Sequence, residues 1–125
     1  IGAEASMFDA QLANLVADHR AEVVASWPGH HTWVLPDDVY PDEVRGQRPT
    51  LACRVPDHVQ ARDLCAGFAA PLVSTSANLS GEPGIVSAAQ AHAQFATLVD
   101  FVLPGEVGDA GKASTIHGLD RTILR

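Results

Sequence analysis

Near the start of the chain the apolar positions Phe8, Leu12, Leu15, Val16, Val23, Val24 and Trp27 recur at helical spacing, with Asp9, Asp18, His19 and Glu22 between them. That pattern predicts one long amphipathic helix or two shorter ones, ended before Pro28-Gly29. Thr32-Trp33-Val34-Leu35 is a β-rich run stopped by Pro36, and the charged, proline-containing stretch from Asp37 to Pro49 reads as a loop. Thr50-Leu51-Ala52-Cys53-Arg54-Val55 reads as a strand with an arginine inside an apolar run. Asp57 is placed to cap a following helix whose apolar face would be Val59, Leu64 and Phe68. Leu72-Val73 reads as a strand entering a polar loop, and Ser87 with Gln90 fits a capping box that opens a helix running through Phe95. Leu98 to Leu103 is apolar enough for a buried strand, stopped by Pro104-Gly105; a flexible loop to Gly111 follows, then strand candidates Ala113–His117 and Thr122–Arg125. This alternation, without internal repeats, predicts an α/β layer architecture with a mixed or parallel sheet.

Composition narrows this picture. With 125 residues, 46% of them hydrophobic, the chain is one folded domain or part of one. Its apolar runs are too short to span a bilayer and no charged-then-apolar leader opens it, so we expect no membrane attachment. The chain opens at Ile1-Gly2-Ala3 without an initiator methionine, which does not read as a native N-terminus. The net charge is −7, from 8 basic and 15 acidic residues, a poor balance for gripping a phosphate backbone. Cys53 and Cys65 form no disulfide framework and no zinc spacing, and are expected to be buried free thiols in a reducing cytosol.

The densest chemistry lies in Ser74-Thr75-Ser76-Ala77-Asn78-Leu79-Ser80-Gly81-Glu82. A strand feeding such a loop gathers hydroxyl and amide groups at one place, which suits an anionic or hydroxylated small molecule. The same residues could equally satisfy their own backbone as a Ser/Thr turn. Arg54 is the sharpest single residue: a strand arginine either snorkels to water from an edge or reaches into a cleft to clamp an anion bidentately.

Other patterns fail. Gly108-Asp109-Ala110-Gly111-Lys112 followed by Ala113-Ser114-Thr115 has the wrong spacing for a phosphate-binding loop, although Ser114 stays a candidate ligand hydroxyl. His30-His31 has no metal-ligand partner at a supporting spacing and reads as surface or structural. A nucleophile elbow is absent, no general base is matched to a nucleophile, and no metal site is predicted.

Taken together the motifs become recognisable. Ser26-Trp27-Pro28-Gly29 with Thr32-Trp33-Val34-Leu35-Pro36 resembles the W-P-G-x-x-T-x-x-x-P stretch of the YrdC/TsaC family. Thr50-Leu51-Ala52-Cys53-Arg54-Val55-Pro56 resembles its T-(L/I)-A-x-R-x-P strand, and Pro71 to Gly81 is similar to its most specific signature. Ser114-Thr115-Ile116 and the closing Ile123-Leu124-Arg125 match its C-terminal elements, so the resemblance runs in family order over essentially the whole chain.

The resemblance implies a twisted mixed α/β sheet with flanking helices and an open cleft. It also implies an L-threonylcarbamoyladenylate synthase, which joins L-threonine, bicarbonate and ATP and releases pyrophosphate. By match to the family, Arg54, Ser74 and Ser114 would face L-threonine, while Thr50, Ser76, Asn78 and Arg125 would line the nucleotide side. ATP would be a substrate accompanied by Mg2+, with no permanent cofactor. A downstream threonylcarbamoyl-transferase complex in the cytoplasm would pass the group to tRNA, and direct tRNA binding is not indicated by charge. The family's upstream P-T-E-T-x-Y-G-L and K-x-R motifs are not among residues 1–125, so the resemblance implies the C-terminal portion of such a domain, and activity of this portion alone is not implied. Two other readings stay open: a carbamoyl-adenylate-forming relative, against which Ala77 stands, and a non-catalytic nucleotide- or RNA-binding module.

Overall fold

Trp33 and Leu35 are buried while Thr32 before them and Val34 between them are only half-buried, the alternation expected of a strand with one face on a core. This strand, β1 (His31–Pro36), is the centre of a three-stranded mixed sheet of order β2-β1-β3. It runs antiparallel to β2 (Thr50–Cys53), with Trp33 opposite Cys53, and parallel to β3 (Thr115–His117), with Thr32 opposite Ile116. The computed structural model describes residues 1–108 and 113–125. It divides into two compact units, one of Ile1–Val73 with Ala113–Arg125 and one of Ser74–Lys112.

The sheet unit buries the stripe predicted at the start of the chain. A 3-10 turn (Ala5–Phe8) leads into α1 (Asp9–Ala13), and α2 (Ala17–Ala25) follows, so the long pattern folds as separate short helices. Phe8, Leu12, Val23 and Trp27 meet Trp33, Leu35, Cys53 and Val55 in one core. Val16 and Val24 fall off the stripe and are exposed. Cys53 and Cys65 are buried free thiols, and burial pushes the Cys53 thiol up to about 12.

Between β1 and β2 the chain forms the one-turn helix α3 (Asp42–Arg45) where a plain loop was expected. Its anchor is the buried Asp37, which accepts a short hydrogen bond from Gln11 and a second from the Tyr40 backbone at 3.1 Å. The Arg45 Nε lies 3.6 Å from the same carboxylate.

The helix α4 (Val59–Phe68) is capped by His58, whose ring accepts from Ala61 N–H, and not by Asp57, which pairs with Arg62 at 3.4 Å. It also faces the other way from expectation. Val59, Leu64 and Phe68 are exposed and Cys65 is the buried residue, its Sγ 3.5 Å from the Ile1 carbonyl. Ile1 and Leu72 exchange two backbone hydrogen bonds, 2.7 and 2.8 Å, but the predicted Leu72-Val73 strand does not form as a regular element. After β3 the chain turns at Gly118–Arg121 and comes back, with Ile116 N–H donating to the Arg125 carbonyl and Leu124 N–H to the Ile116 carbonyl.

The second unit holds the hydroxyl loop and α5 (Ala88–Phe95). The Ser87 half of the predicted capping box is present, Ser87 Oγ accepting from Gln90 N–H at 3.2 Å, while Gln90 Oε1 accepts from the N–H of Val86, one residue before the cap. The predicted strand Leu98–Leu103 does not form. Leu98, Val99, Phe101 and Leu103 are exposed, because no neighbouring strand among the described residues offers them a ladder. The Gly108–Lys112 stretch falls largely on residues 109–112, outside the described residues. Among the described residues no helix is long and apolar enough to cross a membrane.

Candidate substrate-binding site

The stretch Ser26-Trp27-Pro28-Gly29 builds the entry to β1. Ser26 Oγ donates to the Val23 carbonyl at 2.7 Å and accepts from Trp33 Nε1 at 2.9 Å, while Trp27 Nε1 donates to the His31 carbonyl at 2.8 Å. A Cβ on Gly29 would stand 2.5 Å from the Ser26 carbonyl oxygen, so the tight approach admits only glycine. Gly29 N–H then donates to the Val55 carbonyl, which ties the start of β1 to the residue after Arg54.

Thr50 opens β2 and Arg54 stands one residue beyond its end, not in mid-strand. The arginine is half-buried. Burial, and after it the positive charge of Arg125, hold the Arg54 guanidinium below its ordinary pKa. None of the ion pairs among the described residues involves Arg54 or Arg125. Ser114, just before β3, accepts at its hydroxyl from Thr32 Oγ1 at 2.8 Å, and at its carbonyl from the Arg125 guanidinium at 3.5 Å. The sheet unit thus gathers Arg54, Ser114 and Arg125 from positions far apart in the chain, with Thr50 at the start of the neighbouring strand. Guanidiniums are the side chains best suited to bind an anionic group, and Arg125 meets the backbone of Ser114.

In the second unit Ser74, Thr75 and Ser76 are exposed and Asn78 is half-buried. Asn78 has a loop-building duty: its Nδ2 donates to the carbonyls of Leu79 and Glu82 at 3.0 and 3.1 Å. Glu82 N–H donates to the Leu79 carbonyl and Ile85 N–H to the Ala77 carbonyl, so the loop is closed on itself. Both amide hydrogens of Asn78 being committed, its oxygen is the group left for an outside donor. Gly81, at φ +85, supplies the left-handed step of this turn. The binding-loop and turn readings are therefore compatible: Asn78 builds the turn, and the serine hydroxyls are left exposed.

The histidine dipeptide has a structural role. His31 Nδ1 and His117 Nε2 share a hydrogen bond of 2.9 Å across β1 and β3, and His117 stacks on Trp33 with ring centroids 4.2 Å apart. Among the described residues no group of three or more His, Cys, Asp or Glu side chains could hold a metal ion. Sequence reasoning left Thr32, His117 and Asp37 without roles. Thr32 sits in a recognised motif, but its partner Ser114 is 82 residues away, and only the parallel pairing of β1 with β3 brings them together.

Comparison with known proteins shows the family and the fold. The family model Sua5/YciO/YrdC, described as telomere recombination, matches residues 5–125. A threonylcarbamoyl-AMP synthase of Chromohalobacter salexigens is 42% identical over 120 residues, covering 95% of this chain and 64% of that protein. One from Xanthomonas oryzae pv. oryzae is 44% identical over 104 residues, 82% of this chain and 56% of that protein. The chain thus spans less than two thirds of the length of these relatives. The crystal structure of P. abyssi Sua5 complexed with L-threonine superposes with a TM-score of 0.84 at 30% identity, over 99% of this chain and 38% of that one.

Proposed function

This chain belongs to the Sua5/YciO/YrdC family, and on that premise we propose that it is the portion of a threonylcarbamoyl-AMP synthase that binds L-threonine and one side of ATP. The observation that carries the reading is the pair Arg54 and Arg125, the second of them on the Ser114 carbonyl, cationic groups in no ion pair among the described residues. The names of its relatives, and a neighbour solved with L-threonine, supply the substrate class.

In this reading Arg54 clamps the threonine carboxylate, with Ser114 and Ser74 donating to the same substrate. Thr50, Ser76, Asn78 and Arg125 hold the nucleotide. The threonine amine takes up the carbon of bicarbonate with loss of water to give a carbamate, whose oxygen attacks the α-phosphorus of ATP as pyrophosphate departs. The chain's part in this reading is positioning and charge stabilisation. Mg2+ accompanying ATP would ride on the phosphates, because the described residues present no carboxylate or imidazole cage for it. The product serves tRNA modification in the cytoplasm, through a separate transferase; an acidic chain of net charge −7 gives no reason to assign it direct tRNA binding.

The test is pyrophosphate release by the full-length enzyme containing this segment, with and without threonine and bicarbonate. Arg54→Ala will raise the threonine KM about tenfold to hundredfold, the worth of a charge-assisted hydrogen-bond pair. Arg54→Lys will recover little of it, since an ammonium cannot make the bidentate contact. A folded full-length enzyme that binds AMP or RNA but never turns over would replace this reading with a binding module, and turnover on carbamoyl phosphate alone would replace it with a carbamoyl-adenylate former.

A further inference from the structure

Thr32 lies on the opposite face of β1 from the buried Trp33 and Leu35. Its neighbour across the sheet is Ile116, two residues after Ser114, so its hydroxyl can reach back to the Ser114 side chain, which it meets at 2.8 Å. A serine hydroxyl has one proton to give and two lone pairs to fill, and a free serine rotates among three staggered positions. When Thr32 donates to Ser114 Oγ, one lone pair is filled, the rotor is held, and the serine's own proton is what remains to be donated. The Arg125 guanidinium, on the Ser114 carbonyl at 3.5 Å, steadies the same residue through its backbone. Hydroxyls in series polarise one another, which strengthens the outward donor.

We infer that Thr32 is a positioning residue of the threonine site, holding the Ser114 hydroxyl as a donor toward an anionic oxygen of the amino-acid substrate without touching that substrate itself. The inference rests on the reading of Ser114 as a threonine ligand. It gives the hydroxyl at this position a purpose beyond strand formation, for which valine would serve as well.

A double-mutant cycle in the full-length enzyme tests it, with L-threonine binding followed by calorimetry and pyrophosphate release by kinetics. Thr32→Val keeps the β-branched shape and removes the donor. It will weaken threonine binding about fivefold to tenfold, the usual worth of one hydrogen bond, and leave the ATP KM unchanged. Thr32→Ser will return affinity to within about twofold of the parent, and in a Ser114→Ala background Thr32→Val will have no further effect. If Ser114→Ala weakens binding and Thr32→Val does not, or if the two losses simply add, the positioning role is wrong and the threonine site stands. If Ser114→Ala leaves threonine affinity untouched, the assignment of Ser114 falls and takes this role with it. Thermal melts accompany every variant, and Thr32→Ala carries the same comparison should Thr32→Val not fold.

Discussion

A buried carboxylate shows how one residue organises a connection that has no regular structure to hold it. Asp37 is 5% exposed and is met by Gln11, by the Tyr40 backbone and by Arg45, whose Nη1 also donates to the Asp37 carbonyl at 3.0 Å. Removing the carboxylate leaves the buried Gln11 amide without its acceptor and takes the negative charge from beside Arg45, which keeps only its bonds to Asp42 and to the Asp37 and Arg48 carbonyls, and such a loss costs more than the pair itself contributes. Asp37→Ala will therefore lower the unfolding free energy by about 3 kcal/mol, read as a shift in the urea midpoint at constant slope. Asp37→Asn keeps the hydrogen-bond geometry and will lose less; equal losses in the two variants would show that charge, not hydrogen bonding, holds the turn. Residue-scale legibility was uneven for a definite reason. Arg54 stood out because an arginine in an apolar run is costly wherever it sits. Asp37 looked like one more polar loop residue, since its partner Gln11 is 26 positions away and nothing local announces the pairing.

Among the elements, the Ser87 cap, the β1 run and the N-terminal apolar stripe held, while the Asp57 cap and the apolar face of α4 did not. The Ser87 cap and the β1 run appear where residue type and spacing put them, because caps and alternation are decided within a few residues. The orientation of α4 depends on what packs against it, and the small Cys65 docks where the larger Val59, Leu64 and Phe68 were expected to. The β1–β3 pairing carries the element-scale prediction. His117 on β3 faces His31 and Trp33 on β1 and Glu22 on α2, and Glu22 lies 3.5 Å from the Arg121 guanidinium, which also pairs with Asp18. Burial first, and then the charge of His31, lower the His117 pKa below its ordinary 6.5, with Glu22 opposing them. The unfolded chain therefore takes up this proton before the folded one, so stability is complete above about pH 6.5 and declines as pH falls below it. Urea midpoints between pH 7.5 and pH 5.5 will show that decline. In His117→Phe, which keeps an aromatic ring against Trp33, the decline will be smaller; an unchanged slope would assign the effect to other groups.

The molecule as a whole distributes its burial unequally between its two units, and that asymmetry bears on function. The core of Phe8, Leu12, Val23, Trp27, Trp33, Leu35, Cys53 and Val55 lies wholly in the sheet unit, while no described residue of the unit Ser74–Lys112 is buried. The second unit is held by local bonds instead: the Asn78 clip, the Ser87 cap, and Gln94 donating to Glu82 at 3.0 Å. Local hydrogen bonds with only partly buried apolar residues, such as Ile85 and Phe95, give a segment that opens far below the global unfolding free energy. Its serine-rich loop is also the part whose family match was most specific, so the clearest candidate binding sequence sits on the least buried framework. Binding elements are commonly drawn from that low-stability end, and a ligand held by such a loop closes it by mass action. Native-state hydrogen exchange on this chain will accordingly find the amides of Ala88–Phe95 and of the Asn78 turn exchanging orders of magnitude faster than those of β1 and β2. In the full-length enzyme, ATP with L-threonine will slow exchange in the Asn78 turn and leave the β1–β2 ladder unchanged. Equal protection of the two units in the unliganded chain would mean that burial is no guide to local opening here, and protection gained only in the sheet unit on adding both substrates would remove the serine loop from the site.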